Sequence, residues 1–209
     1  IDGEPCYFRT TSELQLLPIS VLEANFMGGA FNAPNSDLCA DAKSVLRLVL
    51  SCNNEKLSFE ELALEKIRFY LKGDSANVNF LYTLLFNKLS AISIANDADD
   101  SQALFLDKKS IMQVGFHADE GMLPYSSRSF MGYRLLTEYF VFPQKFLFFD
   151  LGNLSSEWFL NRGNTVEVFF YFDSESTELE RNVSADTFAL NCCPVVNLFQ
   201  HRAEAIRMT

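Results

Sequence analysis

The stretch that decides the fold is VEVFFYF, residues Val166–Phe172, in which every residue except Glu167 is aliphatic or aromatic. Such residues favour extended structure, so the sequence predicts a strand here. FLFF, residues 146–149, has the same character and predicts another strand. Apolar residues at consecutive positions make both faces of each strand hydrophobic. One face can pack in the chain's own core, and the other needs a second layer from helices or from parts of a larger assembly.

Further strands are predicted on both sides of these segments. VLRLVL, residues 45–50, indicates a mostly buried strand with Arg47 facing outward. Residues 57–71 are better suited to an extended strand than to a short helix, and Gly73-Asp74 ends them. The sequence also predicts strands over 104–106, 111–116, 188–190 and 205–208. A short helix is predicted for VVNLF, which follows Pro194.

Two helices are predicted from apolar residues that recur at the spacing of one helix face. The first covers 78–91 and the second covers 128–140. The apolar face of the second consists of Tyr133, Leu136 and Phe140. The residues expected to begin or end these helices are Asn77 for the first, and Ser127 or Ser129 with Pro143 for the second.

The expected fold class is α+β and β-rich, with mainly antiparallel sheets in sandwich-like units. The connections between strands are too varied for regular βαβ winding. VLRLVL, IRFYLKGDS and a helical stretch occur in that order, and FLFFDL, VEVFFYFDSES and a mixed stretch follow in the same order. This suggests two related β units. We therefore predict a first unit over 1–120 and a second over 121–209, with one compact domain as the alternative.

The composition of the chain disfavours nucleic acid and membranes as binding partners. A chain of 209 residues with 48% hydrophobic residues can bury a core without disulfides. Its net charge of -10 opposes binding to nucleic acid and to anionic lipid, and no apolar run has the length of a membrane span. The charge is typical of an acidic cytoplasmic protein, although an acidic face for a basic partner stays open. The 21 Phe residues favour dry packing in cores or in protein contacts.

The five cysteines do not form a metal or redox motif. None lies in a C-x-x-C pair, and two of them are adjacent. We expect buried free thiols in a reducing compartment. The residues are Cys6, Cys39, Cys52, Cys192 and Cys193.

The most enzyme-like group is His117, Asp119 and Glu120 in GFHADEG. An imidazole and carboxylates at this spacing can bind a metal or exchange protons. However, Gly115 and Gly121 bracket the group, which is typical of a solvent-facing turn after a strand. We predict such a turn with no metal, and a small cytoplasmic enzyme using these three residues is the alternative.

Other candidate sites are weaker. Arg134 and Glu138 have the spacing of an ordinary surface or half-buried helix ion pair of small net value. A thiol pair of Cys193 with His201 is disfavoured, because Cys193 precedes a proline in an apolar stretch. Trp158 leaves open a carbohydrate-binding β-sandwich module. No phosphate-binding loop, dinucleotide fingerprint or nucleophile elbow occurs, so no cofactor and no catalytic residue are predicted.

Four segments resemble the TssF family, also called ImpG or VasA. YFRTTSELQLLPI begins at Tyr7, and VLRLVL is followed by KIRFYLKGD. The longest is GMLPYSSRSFMGYRLLTEYFVFPQKFLFFDL, residues 121–151. The last is VSADTFALNCCPVVNLFQHRAEAIRMT, residues 183–209. The four lie in order and cover nearly the whole chain, so the match is specific.

The resemblance implies a structural role in the baseplate of the bacterial type VI secretion system. Two TssF copies and one TssG would form a wedge, alongside TssK, TssE and the spike hub, that supports assembly of the sheath and tube. The family implies no catalytic, metal-binding or cofactor-binding residue. The expected location is a cytoplasmic baseplate docked near the inner membrane. Family members are longer than this chain, so we expect an internal fragment.

An excerpt of a wedge subunit should have lost neighbours that cover part of its surface. We therefore predict an exposed apolar patch of roughly 400 Å² or more. The segments 146–149 and 166–172 are the expected contributors, because both faces of each strand are apolar.

Overall fold

The structure, a computed structural model, describes residues 6–125 and 128–198. Its helices are Ser75–Asn87 (α1), Met131–Val141 (α2) and Thr177–Asn182 (α3). Its strands, numbered β1 to β11 in chain order, are Arg9–Thr10, Ile19–Gly28, Ser44–Cys52, Ile67–Leu71, Leu89–Ala95, Leu104–Asp107, Ile111–Gln113, Phe148–Leu151, Thr165–Phe172, Phe188–Ala189 and Val195–Val196.

The strands form two larger sheets and one small one. The five-stranded sheet has the order β2-β3-β9-β5-β6, the four-stranded sheet has the order β10-β4-β8-β7, and β1 pairs with β11. Every strand pair within the described residues is antiparallel. The α+β, β-rich fold class predicted from the sequence is therefore confirmed.

The two larger sheets share one core of aromatic and aliphatic side chains. Phe149 of the four-stranded sheet contacts Phe170 of the five-stranded sheet edge to face, with ring centroids 6.5 Å apart. Phe149 also stacks on Phe69 at 5.1 Å. These contacts join the sheets as a sandwich, which places the aromatic strands at the centre of the fold.

Strand β9 lies between β3 and β5 and is buried on both faces, as its sequence predicts. Its residues alternate, so Phe170 and Phe172 enter the shared core while Phe169 and Tyr171 face the other way. The second layer over Phe169 and Tyr171 comes from residues 29–43 and 98–105 of the same chain. The Tyr171 hydroxyl fixes this layer by donating to the Pro34 carbonyl oxygen at 2.5 Å.

The sheet orders relate two series of elements that follow each other in the chain. The first series is β2-β3-β4-α1-β5, and the second is β7-β8-β9-α3-β10. Exchanging the two series converts the sheet order β2-β3-β9-β5 into β7-β8-β4-β10, which is the order observed. The two series are therefore interleaved, because each sheet takes strands from both.

An ion pair on each sheet follows the same exchange. Arg47 on β3 donates through Nε to Glu167 on β9 at 2.7 Å. Arg68 on β4 donates through Nε to Asp150 on β8 at 2.7 Å. The two pairs have opposite polarity: the arginine lies on β3 in one sheet, whereas the carboxylate lies on β8, the strand equivalent to β3, in the other. The predicted boundary at residue 120 does not coincide with a boundary between sheets, and the division into two units stays a prediction.

A buried arginine holds the acidic turn at 96–101. Arg162 Nη1 donates to Asp100 at 2.9 Å, Nη2 donates to the Ile94 carbonyl oxygen at 3.0 Å, and Nε donates to that of Trp158 at 3.0 Å. Burial opposes ionisation of Asp100, but hydrogen bonds from backbone N–H groups and from Arg162 outweigh it and lower its pKa. The turn is thereby tied to the sandwich.

Several predicted boundaries are wrong at their ends. The helix predicted over 78–91 is α1, which Asp74 rather than Asn77 caps. Leu89 begins β5 instead, because its strand pairs with β9. The prediction of a strand over 57–71 holds only for β4, and residues 60–62 form a short 3-10 helix.

Proline-containing segments account for two more corrections. The strand predicted over 146–149 begins at Phe148, because a 3-10 helix occupies Pro143–Leu147. The helix predicted after Pro194 is strand β11, whose two valines suit its pairing with β1. The strand predicted over 205–208 lies outside the described residues.

The start of α2 also differs from the prediction over 128–140. The helix begins at Met131, and its N-cap residue is Phe130, which makes no capping side-chain bond. Ser129 is therefore not the cap, and Ser127 lies outside the described residues. Within the described parts of the chain, no helix combines the length and apolarity needed to cross a membrane.

Candidate interaction surface

Helix α2 presents its apolar face to the outside. Tyr133, Leu136 and Phe140 share one face as predicted, but they are 67%, 57% and 80% exposed. The helix residues that face the body of the protein are Arg134 and Glu138, which are 5% and 3% exposed. A helix on a globular protein normally buries its apolar stripe, so this orientation reverses the usual arrangement.

Arg134 anchors the helix through backbone acceptors. Its Nη1 donates to the Ala118 carbonyl oxygen and its Nη2 to that of His117, both at 2.7 Å. Gly121 allows this approach, because a Cβ there would lie 3.0 Å from Nη1. The residues that bind the arginine therefore belong to the turn that the sequence marked as an enzyme candidate.

Glu138 completes the anchor. Its Oε1 accepts from the Met122 N–H at 2.8 Å, and its Oε2 accepts from Nζ of Lys145, which is also buried. Arg134 Nε lies 3.8 Å from Oε2. The prediction of an ordinary surface or half-buried Arg134–Glu138 pair is therefore wrong, because both side chains belong to a buried three-residue charge network.

The two glycines on either side of GFHADEG are explained by close packing on this charge network, not by solvent exposure of the turn. Gly115 has a φ of +99°, and a Cβ there would lie 3.1 Å from the Lys145 carbonyl oxygen. Gly115 and Gly121 thus let the turn pack closely on Lys145 and Arg134. Their positions on both sides of GFHADEG could have pointed to close backbone packing.

The three candidate catalytic residues do not converge. His117 and Asp119 are exposed, as predicted for a solvent-facing turn. Glu120 is half-buried and turns back, where its carboxylate accepts from the N–H groups of Gly115 at 2.8 Å and His117 at 2.9 Å. Glu120 therefore stabilises the turn itself. The residues that the structure describes contain no group of His, Cys, Asp and Glu side chains that could hold a metal.

Trp158 does not form a flat carbohydrate platform. It lies in a 3-10 helix, Ser156–Phe159, and is partly buried against the main core. Stacking on a sugar needs an open ring face beside polar groups. The geometry therefore gives no support to the carbohydrate-binding alternative.

The cysteines are free but not uniformly buried. Cys39 and Cys52 are buried, Cys192 and Cys193 are half-buried, and Cys6 is exposed, so the expectation of buried thiols is wrong for Cys6. Burial raises the pKa of the Cys52 and Cys192 thiols, which disfavours the nucleophilic thiolate. The pairing of Cys193 with His201 involves a histidine that lies outside the described residues.

Two apolar grooves flank α2. One, of about 410 Å³, runs between α2 and α1 and is lined in part by Leu135, Tyr139, Tyr82 and Phe146. The other, of about 220 Å³, lies on the opposite side and is lined mainly by apolar residues from α2, from residues 122–123 and from the end of the described chain. The helix is therefore a ridge between two depressions.

The exposed surface of α2 carries no charge. In the segment 130–144 the charged residues are Arg134 and Glu138, and both are buried. Large exposed apolar residues of the segment also include Phe130, Tyr139, Val141 and Phe142. We name this surface the α2 face and define it as the exposed apolar residues Phe130, Met131, Tyr133, Leu136, Tyr139, Phe140, Val141 and Phe142.

The exposed apolar surface lies elsewhere than the sequence indicated. Phe146, Phe148 and Phe149 are buried, and so is the strand over 166–172. At roughly 200 Å² for a whole aromatic side chain, the four most exposed rings of the α2 face present on the order of 500 Å². The predicted size of at least 400 Å² is consistent with this figure, and the predicted location is wrong.

Comparisons with known proteins concern the whole chain. A family model described as "Type VI secretion system, TssF" matches residues 1–209. The type VI secretion system component TssF1 of Pseudomonas aeruginosa is 29% identical over 210 residues, which is 100% of this chain and 34% of that protein.

A solved structure shows the same fold. A chain in the cryo-electron microscopy structure of the type VI secretion system TssK-TssF-TssG baseplate subcomplex matches with a TM-score of 0.75 and 24% identity. The match covers 98% of this chain and 36% of that one. The chain therefore spans about a third of the length of the proteins it matches.

Proposed function

Since the chain belongs to the TssF family of type VI secretion system proteins, we propose that it is part of a structural subunit of the secretion baseplate. The observation that carries this proposal is the family match over all of residues 1–209. The likeness in fold to a chain of a TssK-TssF-TssG baseplate subcomplex supports it. The role is architectural rather than catalytic.

The sandwich is suited to such a role because it is built as one stiff unit. Its two larger sheets share one apolar core, and the chain crosses between them repeatedly, so displacing one sheet against the other would disrupt that core. A wedge in a contractile machine must hold a fixed geometry and then change it at its contacts with neighbours. The stiff sandwich supplies the fixed geometry, and the α2 face supplies a contact.

The partners we propose are TssG, TssK and a second copy of the subunit, with TssE and the spike hub in the complete baseplate. The subunit would act in the bacterial cytoplasm, in a baseplate docked near the inner membrane. Together the wedges would support assembly of the sheath and tube around the spike.

Co-purification of the full-length subunit with TssG and TssK from the same bacterium tests this proposal. We expect a stable complex and loss of type VI secretion when the gene is deleted. The enzyme alternative is tested by H117A/D119A, because both side chains are exposed and their removal should leave the fold intact. We expect this variant to restore secretion fully. Failure of the folded subunit to join either partner, or failure of H117A/D119A to restore secretion, would contradict the proposal.

A further inference from the structure

We infer that a cleft on the outer face of the four-stranded sheet binds the carboxylate of an acidic side chain from a neighbouring protein, with Arg68 and Lys66 as the donors. The choice of a neighbouring protein rests on the proposed structural role. Four observations carry the inference: the unequal partnering of two arginines, an excess of cations at one of them, the fixed walls of the cleft and its size.

The two sheets bear similar arginines whose guanidinium groups are not equally partnered. Arg47 donates through Nε and Nη2 to Glu167 and through Nη1 to Glu23, the last at 2.9 Å. Arg68 donates through Nε and Nη2 to Asp150, at 2.7 and 2.8 Å. Among the described residues, Arg68 Nη1 has no acceptor. Arg68 therefore lacks the second carboxylate that Arg47 has.

The positive charges at this position outnumber the carboxylate that binds them. Lys66 Nζ lies 3.4 Å from the Asp150 carboxylate, so Arg68 and Lys66 share one anion. The Asp150 side chain is 6% exposed, whereas those of Arg68 and Lys66 are 23% and 48% exposed and line the cleft. Their remaining N–H donors are thus available to a second carboxylate. Hydrogen bonds between an arginine and a carboxylate are among the strongest in proteins.

Two other carboxylates near the cleft do not supply this second anion. Glu120 lines a smaller neighbouring pocket, and its carboxylate accepts from two backbone N–H groups of its own turn. Glu13 borders the cleft and is exposed, but the ion pair that Arg68 forms within the described parts of the chain is with Asp150. The position beside Arg68 Nη1 therefore stays open to a carboxylate from another molecule.

The walls of the cleft are held in place by hydrogen bonds. Residues 13–17 form one wall, and β4 and Asn191 form much of the rest. Asn191 Oδ1 accepts from the Leu17 N–H at 2.7 Å, and its Nδ2 donates to the Leu17 carbonyl oxygen at 2.9 Å. Further along the same wall, the Thr11 hydroxyl donates to the Pro194 carbonyl oxygen at 3.0 Å. A preformed cleft loses little conformational freedom on binding, which favours affinity.

The size and lining of the cleft select an acidic side chain over a free anion. The cleft has a volume of about 480 Å³, which lies within the range of sites for whole ligands. A small anion would fill little of it, since a water molecule takes about 30 Å³. Leu14 and Leu17 border the cleft beside the two cations, so apolar groups next to the carboxylate can be covered as well. An acidic side chain on a polypeptide brings both kinds of group.

A labelled peptide tests the site on the full-length subunit alone. The probe is a fluorescent, end-blocked Leu-Glu-Leu peptide, followed by fluorescence anisotropy beside its Leu-Gln-Leu analogue. We expect the glutamate peptide to bind and the glutamine analogue to bind at least tenfold more weakly. K66E should weaken binding of the glutamate peptide at least tenfold, because it removes one donor and brings a competing carboxylate close to Arg68. The Lys66 side chain is 48% exposed, so the fold should be kept, which circular dichroism checks.

Two matched variants serve as controls. K56E makes the same change of charge at an exposed lysine outside the cleft, and it should bind the glutamate peptide like wild type. E13Q removes a negative charge from the cleft wall, so it should bind this peptide at least as tightly as wild type. Equal binding of the two peptides, or unchanged affinity of K66E, would overturn the inference. Full displacement of the peptide by an equal concentration of sodium acetate would instead assign the site to a free anion.

Carbodiimide coupling tests the source of the carboxylate. The reagent joins an amine to a carboxylate in contact with it and leaves no spacer. It is applied to the full-length subunit purified with TssG and TssK. We expect an amide between Lys66 Nζ and an aspartate or glutamate of TssG or TssK, identified by mass spectrometry. Coupling of Lys66 only to carboxylates of its own subunit, such as Asp150, would overturn the assignment to a neighbouring protein.

These experiments separate the inference from the proposed function. If TssG and TssK join the subunit but the glutamate peptide does not bind, the baseplate role stands and the carboxylate site fails. If the peptide binds in the cleft but neither protein joins the subunit, the carboxylate site stands, and the baseplate role fails together with the assignment to a neighbouring protein.

Discussion

Replacing Glu138 with glutamine should destabilise the protein far more than removing the exposed Phe140 side chain from the same helix. Glutamine keeps the size of the side chain and an oxygen that can accept from the Met122 N–H. It removes the negative charge that faces Lys145 and Arg134. Two buried cations would then share no carboxylate.

The structure sets the magnitude. Glu138, Lys145 and Arg134 are 3%, 3% and 5% exposed, so solvent screens their interactions only weakly. Removing one partner of a buried ion pair costs about 3–5 kcal/mol, because the remaining charge is left uncompensated. Arg134 keeps its two backbone acceptors, which places the expected loss near the lower end, about 3 kcal/mol. F140A should cost less than about 0.5 kcal/mol, because most of the ring is already in water.

Urea unfolding measures both changes. The double variant E138Q/K145M removes the carboxylate together with one of its cations. It should recover part of the loss, giving an interaction energy of about 1–3 kcal/mol between the two sites. A cost for E138Q below about 1 kcal/mol, or a cost for F140A equal to that of E138Q, would show that α2 does not rest on the body through its charged side.

Three further changes test other parts of the fold. R162A should cost about 3 kcal/mol in urea unfolding, because it leaves Asp100 unpaired. The pKa of Asp100 is lowered in the folded state, so its stabilisation is complete above the unfolded pKa and is lost as pH falls through the folded pKa. R162A should flatten this acid dependence, and an unchanged pH profile would contradict the pairing. Y171F should cost about 1 kcal/mol by thermal unfolding, because the Pro34 carbonyl loses its donor. D74A should cost about 1 kcal/mol through loss of the α1 cap, and no change in melting temperature would refute the cap.

The aromatic strands were predictable because their pattern has few other interpretations. VEVFFYF is too short and too rich in β-branched and aromatic residues for a typical helix, and it forms β9. Its burial on both faces also follows from the sequence. The source of the second layer does not, because residues 29–43 contain glycine, asparagine and proline without periodicity. Their packing on Phe169 depends on contacts distant in sequence.

Element ends were less predictable because competing interactions decide them. Leu89 continues the apolar spacing of α1, but it forms the first residue of β5 because its strand pairs with β9. Phe146 looks like part of a strand, yet the segment after Pro143 takes a 3-10 turn that places Lys145 against Glu138. In both cases a tertiary contact outweighs local preference.

The orientation of α2 could not be read from its own residues. The helix has apolar side chains around most of its circumference, so either side could face the core. One feature of the sequence did indicate the orientation: Arg134 and Glu138 are the only charged residues over 130–144. An exposed helix face usually carries more charge than that. Recognising the reversal required the partner Lys145 and the two glycines that admit the network.

The similar strand orders of the two series distinguish the residues that form the sandwich from those that the protein exposes to other surfaces. The two series use the same strand order, and each places an arginine–carboxylate pair across neighbouring strands. Strands present in both series make up four of the five strands of one sheet and all four strands of the other. A feature confined to one series needs a different explanation, and α2 is such a feature. Its anchoring by buried charges adds nothing to the shared apolar core, while its outer side places aromatic rings in water. Exposed rings in that number are unfavourable for an isolated surface and become favourable when another apolar surface covers them. The same reasoning predicts that replacing residues 114–147 with a shorter connection, similar in length and sequence to 29–43, would preserve the sandwich and abolish only the contact.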